Sequence, residues 1–122
     1  MEVIIYGQCP SQKNGKQIFT NKSTGKPFIS SSNIVKEWQK SAAEQLAVGF
    51  RGCADGKVTV AYTFYVKDRR RRDLDNMIAT VNDALVKAGL LKDDSWQCLA
   101  IGAADAELDI KNPRVELWID EP

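Results

Sequence analysis

The sequence predicts an α+β fold, a small mixed β-sheet backed by two helices. Three observations carry that expectation. Val58–Val66 is a nine-residue run of Val, Thr, Tyr, Phe and Ala, the composition of a half-buried strand. Two other segments repeat apolar residues at helical spacing. The elements come in the order strand, helix, strand, helix, strand, strand, which suits helices layered on one sheet.

Each element has its own local signal. Glu2–Gly7 is apolar and β-branched, a strand closed by glycine. Residues 8–26 are polar and punctuated by Pro10, Gly15 and Gly25. Within and just after them, Lys16–Thr20 and Phe28–Ser30 flank Thr24-Gly25 as a hairpin. Ser30, Ser31 and Ser32 offer N-caps for a helix from Asn33 to Val48, with Ile34, Trp38, Ala42 and Leu46 on one face. Trp38 on that face reads as core, not as a base-stacking platform. Gly49–Gly56 breaks the helix. After the Val58–Val66 strand, a second helix runs from Asp73 or Leu74 to Lys87. Its apolar stripe is Leu74, Met77 or Ile78, Val81, Leu85 and Ala88, and Gly89 closes it at C′. Gln97–Ala103 and Arg114–Asp120 read as the last strands.

The chain has 122 residues, 43% apolar and 27% charged, which predicts a single domain over residues 1–122 with a true core. Cys9, Cys53 and Cys98 are odd in number and widely spaced, which predicts reduced thiols and neither a disulfide framework nor a zinc site. No apolar run approaches the roughly 18 residues of a membrane span, and the N-terminus does not read as a signal peptide. A cytoplasmic protein with no membrane partner and no nucleotide cofactor is expected. There are no histidines, so a Ser-His-Asp triad, a histidine base and histidine metal ligands are all excluded. Hydrolysis would have to use carboxylates, lysine or metal-activated water.

Charge is unevenly distributed. Residues 1–72 hold 13 Lys and Arg against 5 Asp and Glu, and residues 73–122 hold 4 against 11. The sign changes at one junction, where Arg69, Arg70, Arg71 and Arg72 run straight into Asp73-Leu74-Asp75-Asn76. Guanidinium groups bind phosphate oxygens bidentately, whereas clustered carboxylates hold a hard divalent cation. Side by side they predict a metal-dependent nuclease. If the arginines continue a strand, alternate side chains point opposite ways, so about two face DNA and the others pair with acids. Lys13, Lys16, Lys22 and Lys26 form a sparser basic loop. The plainer reading of Asp73 and Asp75 is an N-cap and a favourable charge at the helix dipole.

Asp93-Asp94 is a second acidic pair and raises a geometric problem. About 15 helical residues at roughly 1.5 Å each put some 20 Å between Asp75 and Asp94. Ligands of one ion must lie within about 2–2.6 Å of it. Either the chain doubles back, or two copies pack antiparallel and Asp94 of one approaches Asp73 and Asp75 of the other. A homodimer is expected on that ground. Asn76 and Asp83, seven residues apart with Thr80 between them, are either supporting ligands beside Asp93 or the wet side of the helix.

The stretch RRRRDLDN…NDAL…AGL…DD, Arg69–Asp94, resembles the RusA family of Holliday junction resolvases, common in phages and prophages. The first strand followed by CPSQKNGKQI, Cys9–Ile18, is similar to that family's start. The resemblance implies an intertwined homodimer that cuts four-way DNA junctions with Mg²⁺, for which Mn²⁺ can substitute. It implies catalytic, metal-holding aspartates at Asp73, Asp75 and Asp94. It also implies DNA contacts from Arg69–Arg72 and from the loop that carries Lys13, Asn14 and Lys16. One position departs from the pattern. The family often has a lysine six residues after the first aspartate, and here that residue is Ala79. The alternative expectation is therefore a branched-DNA-binding module with weak or lost cleavage.

Overall fold

A computed structural model describes residues 1–11, 16–20, 22–31, 33–49 and 56–121, with the backbone alone for 16–20, 27–31 and 48–49. Six strands and two helices follow in the order β1 (Glu2–Tyr6), β2 (Lys16–Thr20), β3 (Pro27–Ser31), α1 (Asn33–Gly49), β4 (Val58–Val66), α2 (Leu74–Lys87), β5 (Leu99–Leu108) and β6 (Arg114–Asp120). Four strands form one sheet in the order β1-β6-β4-β5, and β2-β3 form a separate hairpin. In the larger sheet β4 and β5 are parallel, whereas β1–β6 and β4–β6 are antiparallel. The sheet is mixed and the class is α+β, as expected.

Strand alternation decides which side chains meet the helices. Val58, Val60, Tyr62 and Phe64 of β4 are buried, as are Val115, Leu117 and Ile119 of β6. The residues between them face away from the helices. From α2 come Met77, Val81, Ala84 and Leu85, and from α1 Trp38, Ala42 and Leu46, all joined in one core with Ile5 of β1. Truncating Leu85, which is 1% exposed, should cost about 2–5 kcal/mol.

The hairpin forms where the turn signal placed it, with Thr20 opposite Pro27 and Gly25 at φ +71°. α2 ends as expected, Ala88 being the C-cap and Gly89 following at φ +78°. The proposed serine cap of α1 involves Ser32, which lies outside the described residues, as does Cys53.

Two expectations are corrected. Ile34 is 59% exposed, and Val35 at 4% takes its place on the buried face. Four-residue steps advance 400°, so a strict i+4 series drifts about 40° per step off the face that a 3.6-residue turn keeps. The strand placed at Gln97–Ala103 instead spans Leu99–Leu108. Residues 95–99 form a turn in which the Cys98 and Leu99 amides donate to the Ser95 carbonyl, at 3.0 and 2.9 Å. β4 then holds the sequence GAADAEL in strand geometry that its own propensity does not favour.

Candidate metal centre and nucleic-acid interface

The site is built where β4 ends and α2 begins. Residues 67–73 form a loop, so strand alternation does not apply to the arginine run. A carboxylate inside the loop organises it. Asp68 Oδ1 accepts from the Arg70 amide at 3.1 Å and pairs with Arg72 Nη2 at 2.7 Å. Arg72 Nη1 donates to the carbonyls of Asp68 and Arg70, at 3.1 and 3.3 Å. The Arg70 amide first, and the Arg72 guanidinium second, hold the Asp68 carboxyl below its usual range. The Arg72 side chain is 11% exposed and locks the loop from within. Arg69, Arg70 and Arg71 are left exposed on its outer side. Arg71 is exposed and yet pairs with Asp73, so exposure and acid pairing do not divide the run as alternation would, and loop closure decides that Arg72 turns inward.

Residues 8–11 close the other side. Gln8 Oε1 accepts from the Lys67 amide at 2.8 Å, and the Ser11 carbonyl accepts from Asn76 Nδ2 at 3.3 Å. Cys9 is buried against the Met77 carbonyl, Sγ to O 3.7 Å, and burial pushes its thiol far above the usual range. Between these walls lies a cleft of about 290 Å³, whose cations are Lys67, Arg70, Arg71 and Arg72. Gln8 and Ser11 were not anticipated. Nothing in a single sequence marks a loop glutamine that will accept from an amide 59 residues away.

Asp73 occupies the N-cap position of α2, at φ −77° and ψ 119°, yet its side chain makes no cap bond. Its oxygens turn elsewhere, Oδ1 to Arg71 Nη2 at 2.9 Å and Oδ2 to Asn76 Nδ2 at 3.3 Å. The simple capping explanation therefore fails for Asp73. Asp75 stands exposed in the first turn, where Oδ1 accepts from the Asn76 amide at 3.0 Å and its charge suits the helix dipole. Asn76 thus grips Asp73 and ties it to the Ser11 carbonyl. Asp83 is exposed. Thr80 is buried, its hydroxyl donating to the Asn76 carbonyl at 2.9 Å, so it does not belong to a wet face.

Hard carboxylate oxygens at one loop–helix junction fit Mg²⁺ or Mn²⁺. The third expected aspartate is elsewhere. Asp93 and Asp94 are exposed on the turn after buried Leu90 and Leu91, beyond the far end of α2. Among the described residues, no three Asp, Glu, Cys or His side chains gather closely enough to hold a metal. One ion pair and two hydrogen bonds link Arg71, Asp73, Asn76 and Asp75, and Asp83, Asp93 and Asp94 stand outside that linkage. Lys13 and Asn14 lie outside the described residues, and Lys16 is described only as the first residue of β2.

Ala79, at the expected lysine position, is exposed on α2. The next cation along that helix, Lys87, donates to Gln39 Oε1 at 2.8 Å and is engaged with α1. Among the described residues no helix is long and apolar enough to cross a membrane.

Residues 9–120 match the family described as "Endodeoxyribonuclease RusA". A protein of Aquifex aeolicus (strain VF5) named "Crossover junction endodeoxyribonuclease RusA" is 37% identical over 62 residues, 50% of this chain and 49% of that protein. The match spans about half the length of that curated relative. The family match takes in most of the segment after β1, the arginine–aspartate junction, α2 and strands β4, β5 and β6, so the chain belongs to the RusA endodeoxyribonuclease family.

Proposed function

We propose that the chain is a structure-specific endodeoxyribonuclease that resolves four-way DNA junctions by divalent-metal-dependent phosphodiester hydrolysis, acting in the cytoplasm as a homodimer in recombination and repair. The observation that carries this reading is the junction at the head of α2. Two carboxylates, one of them unused as a cap, stand beside three outward arginines. Family membership and the printed name of the Aquifex relative point the same way.

Arg69, Arg70 and Arg71 neutralise backbone phosphates and draw the bent strand into the cleft, displacing condensed counterions. Arg72 keeps their loop folded. Asp73 and Asp75 would hold Mg²⁺ or Mn²⁺, with Asp94 as a further ligand; the ion supplies water activation and charge relief on phosphoryl oxygens. Asn76 fixes the rotamer of Asp73. Arg71 neutralises Asp73 in the free protein, and a cation held there would release its guanidinium to phosphate. Lys13, Asn14 and Lys16 would add contacts from the N-terminal loop. Asp83 and Asp93 have no task in this reading beyond lending negative potential. The deformability of a branched junction supplies shape selectivity. Asp75→Asn should abolish nicking of a synthetic four-way junction in Mg²⁺ and leave junction binding intact or tighter. Full cleavage by that variant would overturn the assignment.

A second reading, a clamp that binds branched DNA without cutting it, rests on Ala79. If it is right, wild-type protein shifts the junction and leaves it uncut in both Mg²⁺ and Mn²⁺, whereas Ala79→Lys gains nicking.

A further inference from the structure

Trp96 is 74% exposed, the most open aromatic side chain among the described residues. Tryptophan is ordinarily well buried, because its large ring gains so much from leaving water. Local structure nevertheless holds this one out. Leu90 and Leu91 are buried before the turn and Leu99 after it. The two amides that donate to the Ser95 carbonyl close the turn, and the Val58 amide donates to the Cys98 carbonyl at 2.7 Å. The turn is thus pinned to the core at both ends and to the start of β4, with Trp96 and Gln97 exposed at its tip. That last bond also sets Lys57, the residue before β4, beside the turn. Lys57 Nζ stands over one face of the indole, 5.8 Å from its centroid, and most of the ring stays open.

An aromatic platform on a fixed backbone, with one cation beside it, suits a single nucleotide. The indole takes the flat face of a base, and the ammonium takes its phosphate. The charges around it narrow the choice. Lys57 and Lys92 are offset by Asp93 and Asp94, all four exposed, so the patch does not attract a length of phosphate backbone as the arginine loop does. Within a continuous duplex, neighbouring bases cover both faces of each base. A free face exists only where the stack is broken, at a branch point, a flap or a single strand.

We propose that Trp96, with Lys57 beside it, is a stacking platform for an unstacked nucleotide at the branch point of the DNA, and that it makes the protein prefer branched to continuous DNA. The substrate in this inference rests on the nuclease reading. The patch lies at the opposite end of β4 from the arginine cleft, about 30 Å away at roughly 3.3 Å per strand residue. It is a second hold on the DNA, with a different task. Arginines grip any backbone, whereas an indole distinguishes a broken stack from a whole one.

The test reads fluorescence anisotropy on a four-way junction and on a continuous duplex with the sequence of one arm, in EDTA so that neither is cut. Trp96→Ala should weaken junction binding about 10–100-fold and duplex binding less than about twofold, with the slope of log K against log salt unchanged. Trp96→Phe should recover most of the loss. Lys57→Gln should lower the magnitude of that slope by about 1. Trp118→Ala, at the half-exposed tryptophan of β6, should alter neither affinity nor slope. A junction carrying 5-iodouracil at the branch point should photo-cross-link to the peptide that holds Trp96. Equal losses on both DNAs, or an unchanged junction affinity in Trp96→Ala with no cross-link to its peptide, would overturn the platform while wild-type cleavage of the junction still upholds the nuclease reading. A wild type that neither binds nor cuts the junction would bring down both.

Discussion

Arg70 and Arg72 are two residues apart, and the structure gives them opposite jobs. Arg70 is exposed on the cleft, whereas the Arg72 side chain is 11% exposed and donates to two backbone carbonyls. Removing Arg72 as Arg72→Ala leaves those carbonyls unpaired within the loop. A charge-assisted hydrogen bond contributes about 1.5–3 kcal/mol, and the 3.3 Å bond lies at the weak end. Asp68, more than a third exposed, adds little after solvent screening. The expected loss is about 2 kcal/mol, or roughly an 8 °C fall in Tm for a domain of this size. Arg70→Ala should stay within about 0.5 kcal/mol of wild type in stability. It should weaken junction binding and lower the magnitude of the slope of log K against log salt by about 1. The assays are a thermal melt by circular dichroism and a salt titration of fluorescence anisotropy on a four-way junction. Two variants alike in both would refute the inward–outward division of the loop.

Three further outcomes are expected. Asn76→Ala frees Asp73 from its tie to the Ser11 carbonyl and should raise the Mn²⁺ dissociation constant about 10–100-fold, read by electron paramagnetic resonance of free Mn²⁺; unchanged affinity would mean that Asn76 does not position a ligand. Asp109 is held below the usual carboxylate range first by hydrogen bonding from Arg114. A depressed carboxyl stabilises the fold above its unfolded pKa of about 3.9 and loses that contribution as pH falls through the folded value. Asp109→Asn should therefore flatten the fall of Tm between pH 5 and 2.5, and an unaltered pH profile would contradict this. The buried Cys9 thiol should stay unlabelled by iodoacetamide at pH 8 while the protein is native and react once it is unfolded, checked by peptide mass spectrometry.

Much of the architecture could be read from one chain because local and global signals agreed. β4 needs Val, Tyr and Phe on a buried face and has them; α2 has both a periodic stripe and Gly89 to end it. β5 was misplaced because Gly, Ala, Asp and Glu say little about strands, and the pairing with β4 that fixes it is tertiary. Buried polar residues were equally hidden. Gln39, Thr80 and Asn82 look like solvent-facing helix residues, yet Asn82 accepts from the Tyr62 hydroxyl and Gln39 donates to the Thr80 carbonyl at 3.5 Å. At the site, the juxtaposition of arginines and aspartates could be read directly from residue type and spacing. The inward turn of Arg72 did not, since it depends on a loop closing around Asp68.

The proposed activity requires an acidic set shared between two chains, and subunit mixing tests that most directly. Asp73→Asn and Asp94→Asn proteins should each fail to bind Mn²⁺. Mixed in equal amounts and allowed to exchange subunits, they should recover about a quarter of the wild-type sites, because each mixed dimer regenerates one intact set. A mixture that binds no more Mn²⁺ than its separate components, once exchange has been verified by mass, would contradict the shared site.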